Sequence, residues 1–137
     1  MLVIRTEQLD LLAKASREEF IEQMCRHLRS HFTHQLRVCG DDVLKSHIND
    51  ALRRSAGYGL TSRQDCCRFL NLAVLYGWQF DQSAAQQWMR DYLIDGTVSS
   101  PSERLRLLVD QCVHRREIAA HNRQLQDGFG LLQETGP

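Results

Sequence analysis

YGLTSRQDCCRFLNLAVLYGWQFD, residues Tyr58–Asp81, reads as a capped helix that is apolar nearly all the way round. Thr61-Ser62-Arg63-Gln64 opens it as a capping box, in which a hydroxyl and a side-chain amide satisfy the free amides of the first turn. Phe69, Leu70, Leu72, Ala73, Val74 and Leu75 leave little room for a polar face, and Gly77 ends the run. A helix of this kind must be covered on several sides. It is therefore the expected centre of an all-α fold, spanning about 61–76.

The flanking sequence supplies helices to cover it. Upstream, Thr6 can open a short helix to Ala13, and Ser16-Arg17-Glu18-Glu19 is a second capping box. The helix starting there carries Phe20, Met24, Leu28 and Phe32 on one stripe. Asp41 is placed to cap a third helix with Val43, Leu44, Ile48, Ala51, Leu52 and Ala56 inward, closed by Gly57-Tyr58-Gly59. Downstream, Asp81 is the expected cap of a helix that buries Ala84, Ala85, Trp88, Met89, Tyr92 and Leu93. Ser100-Pro101-Ser102-Glu103 starts the last helix, with proline at the tolerated first position. The sum is one compact bundle of five to six short helices over residues 1–127, with 128–137 as a flexible tail.

Composition narrows the function classes. Hydrophobic residues make up 42% and charged residues 25%, which is ordinary for a globular chain of 137 residues. Seventeen basic residues balance seventeen acidic ones, removing the simplest electrostatic case for nucleic acid. No apolar run approaches a membrane span, and Leu2–Ile4 is too short for a signal-peptide core. The cytoplasm is the expected location. Five cysteines without a framework spacing suit reduced thiols.

Four features invite a chemical reading. His27, His31 and His34, at i, i+4 and i+7, could share a helical face, and three imidazoles suffice for a catalytic zinc. Three ligands on one helix make poor tetrahedral geometry, however, and no HExxH pair supplies a base. Cys66 and Cys67 point about 100° apart on a helix, so they fit buried packing better than shared metal ligation, and spacing identifies no base for a thiol nucleophile. GYGLTS lacks the lysine and spacing of a phosphate loop. Trp78 and Phe80 after Gly77, with Arg115 and Arg116 on the last helix, have the aromatic and arginine make-up of protein interfaces; plugging the bundle's end is the competing role of the two aromatics, and the one more expected of them. No catalytic or cofactor site is expected, and protein-binding positions are His27, His31, His34, Trp78, Phe80, Arg115 and Arg116.

Three segments resemble a family of small helical proteins from bacterial type VI secretion gene clusters. Phe20–Phe32 matches F-x-x-x-M-x-x-H-L-R-x-x-F, Tyr58–Phe69 matches Y-G-[IL]-T-x-x-x-D-[VC]-C-x-[FY], and Gly77–Asp81 matches G-x-x-F-D. The resemblance covers roughly residues 17–95 and leaves the last helix unmatched; Thr33 stands where the family pattern often has proline. It implies a non-catalytic adaptor or co-chaperone that binds a secreted effector, a spike component or a larger loading adaptor. An immunity protein neutralising a toxin is the alternative within binding proteins, and a metal-dependent enzyme using the histidine face is the alternative outside them. A homodimer is compatible with a bundle of this kind, whereas nucleic acid and membrane are not expected partners.

Overall fold

The computed structural model describes residues 6–135, with side chains described over 16–124. Within these limits five α-helices are joined by turns, and no strand occurs. They are α1 (Thr6–His31), α2 (Asp41–Gly57), α3 (Arg63–Tyr76), α4 (Gln87–Leu93) and α5 (Pro101–Thr135). Two 3-10 turns, Phe80–Gln82 and Ala84–Gln86, link α3 to α4. No helix among the described residues is long and apolar enough to cross a membrane.

The all-α class and the central position of α3 are as expected. α3 packs on α1, α2 and α5, and Phe69, Leu70 and Ala73 are fully buried at the middle of the core. Leu28 from α1, Leu44 and Ile48 from α2, and Leu105 and Leu108 from α5 close around them. Removing side chains of this size from water supplies the main driving force for such a bundle.

Several helix starts differ from expectation, each for a local reason. α1 is one continuous helix, so Ser16 lies inside it rather than at its start. No glycine or proline interrupts residues 6–31, and Ala13-Lys14-Ala15 favours continuation. The expectation of a Thr6 cap concerns a side chain outside the described residues. α2 takes Gly40 as its N-cap, because the Asp41 carboxylate is drawn to Arg29 at 2.6 Å. Val43 and Ala56 are exposed rather than inward. In α3 the capping role falls one residue later: Ser62 Oγ accepts from the Asp65 amide at 3.1 Å.

The largest departure lies after Gly77. Asp81 caps nothing; it is buried within the first 3-10 turn, and α4 is correspondingly short. Ala84 and Ala85 are exposed, leaving Met89 and Leu93 as the buried anchors of α4. α5 opens as expected, with Ser100 Oγ accepting from the Glu103 amide at 3.3 Å. It continues to Thr135 and includes Gly128 and Gly130; the side chains of the expected tail, 128–137, lie outside the described residues.

Two glycines fix chain reversals. α2 ends with Gly59 at φ +84°, its amide bonded to Ala56 O at 3.0 Å while the Leu60 amide reaches Ser55 O at 2.9 Å. These paired bonds satisfy the last carbonyls of the helix and drive Leu60 into the core. Gly77, at φ +111°, ends α3 in a conformation that disfavours any residue with a Cβ.

Candidate functional site

Polar side chains inside the bundle first sort into those that hold the frame. Arg29 clamps the turn after α1, donating to Leu36 O at 3.2 Å and Cys39 O at 2.7 Å besides pairing with Asp41. Asp81, 1% exposed, accepts from Arg54 Nε at 3.1 Å and from the Tyr58 hydroxyl at 2.9 Å. Arg54 also donates to the Trp78 carbonyl. Asp65, 4% exposed, accepts from the Ser102 hydroxyl, tying the start of α3 to the start of α5. The buried Asp65 and Asp81 carboxylates are thus both engaged by donors from other elements of the fold.

The histidines do not assemble as the spacing suggests. α1 ends at His31, so His34 lies in the following turn and shares no helix face with the other two. The rings of His27 and His31 lie 4.2 Å apart, and His31 Nδ1 sits 3.0 Å from the His27 carbonyl. Among the described residues no group of three or more His, Cys, Asp or Glu side chains could hold a metal ion.

One contact has no counterpart in the sequence reading: His27 Nε2 lies 3.5 Å from Cys67 Sγ. An imidazole beside a thiol is an arrangement nucleophilic catalysis uses. Burial, however, pushes the Cys67 thiol up, with Arg68 opposing it. That direction disfavours the thiolate, the form that acts as the nucleophile. Forty residues separate the pair, so no local spacing could have signalled it.

The proposed binding positions divide. Phe80 is 1% exposed and packs on Phe69 at 5.0 Å between ring centroids, so it plugs the bundle and offers no surface. Trp78 is half-buried and stacks on His47 at 4.9 Å. Arg115 lies over the Trp88 ring at 3.7 Å, a cation–π contact that fixes α5 to α4. Arg116 alone among the arginine candidates lines an open feature.

That feature is a groove of about 340 Å³ with α3 as its floor. α1 and α5 both pack on α3 but, among the described residues, not on each other, which leaves a channel beside α3. From α3 it is lined by Arg68, Asn71, Leu72, Leu75 and Tyr76; from α5 by Val109, Cys112, Val113 and Arg116; Phe32 closes the α1 side. Each helix thus presents a stripe at i, i+3, i+4 and i+7. The side-chain oxygen of Asn71 is buried in this wall without a hydrogen-bond partner. Burial pushes the Cys112 thiol up, while a hydrogen bond with Tyr76 acts in the opposite direction.

Along the groove and past it α5 runs out of the bundle. Every residue from 113 to 124 is exposed, including Val113 at 50% and Ile118 at 46%. This arm carries Arg115, Arg116 and Arg123 against Glu117 as its charged residues.

Comparisons with protein-family models, curated proteins and solved structures find no match.

Proposed function

We propose that this chain is a non-catalytic, cytoplasmic adaptor or co-chaperone that binds a type VI secretion effector or the larger adaptor that loads it. The observation that carries the reading is the outer part of the α5 arm: residues 117–124 extend as helix, every one exposed, with no covering element among the described residues. A helix this exposed derives little stability from the bundle, since helices in proteins owe most of theirs to a packed face. A partner that packs against it supplies what the rest of the chain does not. The motif resemblance over residues 17–95 supports a secretion-accessory role.

The test is a pull-down of the tagged full chain from its native host, read by mass spectrometry. The expected result is a toxin, spike protein or larger adaptor, retained by the wild-type chain and lost when Ile118 and Ala119 are both changed to Asp. Recovery of metabolic enzymes alone overturns the reading. Protection from a captured toxin by blocking its enzymatic activity, rather than by stabilising or exporting it, replaces the adaptor with an immunity protein.

A further inference from the structure

We propose that the groove between α1 and α5 is the seat of an acidic amphipathic helix of the partner protein, lying along α5 as an added member of the bundle. This deepens the adaptor reading and rests on it for the partner's identity, though not for the groove's chemistry.

Shape is the first support. Leu72 and Leu75–Tyr76 on α3 face Val109 and Val113 on α5 across the channel. Two helical stripes meeting at a channel offer the holes into which a third helix inserts side chains at its own i, i+3, i+4 and i+7 positions. The α3 stripe from Arg68 to Tyr76 extends about 12 Å at 1.5 Å per residue, enough for roughly two turns of an occupant. α3 is also apolar further round than the fold covers. Leu75 and Tyr76 stay partly exposed at the end of the helix, next to the buried Leu72 and Ala73.

Charge then selects the occupant. Arg68 stands on the α3 wall and Arg116 on the α5 wall, and no carboxylate lines the channel. Arg68 makes a 4.0 Å approach to Asp65 Oδ1 while Ser102 donates to the other carboxylate oxygen, and the Arg68 side chain stays 38% exposed. An apolar helix flanked by Glu or Asp would meet a guanidinium on each side, the pairing that sets orientation in helix association. Arg123 lies seven residues beyond Arg116, two turns along α5, so the same preference extends onto the arm.

The test uses the purified full chain and two labelled synthetic helices of about 18 residues. Both carry leucine at i, i+3, i+4 and i+7; one has glutamate at the flanking positions and the other lysine. Fluorescence anisotropy is expected to show the glutamate helix binding at least about tenfold more tightly. Arg116→Glu should reverse that order, and Val113→Glu should abolish binding of both while the helical circular dichroism stays unchanged.

Equal binding of the two helices, or a preference untouched by Arg116→Glu, overturns the proposal. So does binding of decanoate in the groove with neither peptide competing, which would make it an acyl-chain site. A concentration-dependent dimer dispersed by Arg116→Glu would make the occupant a second copy and equally overturn it. The two readings fail separately. If the pull-down partner is retained by Arg116→Glu and Val113→Glu, the groove proposal falls and the adaptor reading stands. If the glutamate helix binds as expected but no secretion component is captured, the reverse holds.

Discussion

Asp81 and Arg54 meet at 3.1 Å with the Asp81 side chain wholly buried and that of Arg54 14% exposed. The pair joins the end of α2 to the turn after α3 across 27 residues of sequence. Taking both charges out of water is costly, so the pair is better understood as fixing this turn than as adding net stability. Arg54 also holds the Trp78 carbonyl and Tyr58 holds the second carboxylate oxygen, so the whole GWQFD segment is pinned from one side.

Asp81→Asn keeps the shape of the side chain but leaves the guanidinium without its counter-charge. The expected loss is about 3 kcal/mol, the typical cost of breaking a buried pair from one side. Urea unfolding followed by circular dichroism measures it. Adding Arg54→Met should cost little more, because the orphaned charge is then gone. A loss well under about 1 kcal/mol for the single variant would mean the pair is solvated.

Tyr58 gives the same network a pH dependence. Burial, then the hydrogen bond to Asp81, pushes its phenol up to about 12, against about 10 in an unfolded chain. Below about pH 10 both states keep the proton and the contribution is fully present. Between about 10 and 12 the unfolded chain ionises first, so stability falls as pH rises. Tyr58→Phe should lose about 1–2 kcal/mol at neutral pH with the hydrogen bond, yet show a shallower alkaline decline. Urea midpoints for both proteins on the alkaline side decide it. Burial also raises Tyr76, but it is present in both chains and cancels; parallel declines would rule out Tyr58 as a source.

Asp65 receives two different kinds of support. Its amide is capped by Ser62 and its carboxylate by Ser102. Ser62→Ala should cost about 1 kcal/mol as a lost cap. Ser102→Ala should cost about 2 kcal/mol, because a buried carboxylate loses a donor. Since both act on one residue, the double variant is expected to depart from the sum by about 0.5 kcal/mol or more. Strict additivity in thermal unfolding would show that the cap and the interhelix bond are independent.

What was legible in the sequence was what is settled within a turn or so. The Ser100 cap, the helix ends at Gly59 and Gly77, and the apolar run of α3 each depend on neighbours a few residues away. The cap of α3 was placed one residue early for the same reason: Thr61 and Ser62 are both capping residues, and only the backbone distinguishes them. Asp81 looked like a cap because an aspartate before an amphipathic stretch usually is one; its partners come from α2, beyond local reach. The residues carrying the family resemblance, among them Arg29, Tyr58, Asp65, Gly77 and Asp81, turn out to hold turns and join helices. That is why the motifs located the scaffold and not a working surface. The groove was hidden because its lining joins Phe32, α3 and α5, residues far apart in sequence.

Gly59 and Gly77 allow a conformational cost to be separated from a steric one. Both have positive φ, so alanine at either is strained, at about 1–3 kcal/mol. At Gly77 an added Cβ meets nothing within 4 Å. At Gly59 it would sit 2.8 Å from Pro101 Cγ, against the ring that opens α5. Gly59→Ala must therefore shift α5 or the loop before α3, and Pro101→Ala removes that ring carbon. The cost of Gly59→Ala should fall by about 0.5 kcal/mol or more in the Pro101→Ala background, whereas that of Gly77→Ala should not change. Urea unfolding of the three single and two double variants measures both couplings. Equal coupling at the two glycines would show that the contact between the α2–α3 turn and Pro101 is not close enough to matter.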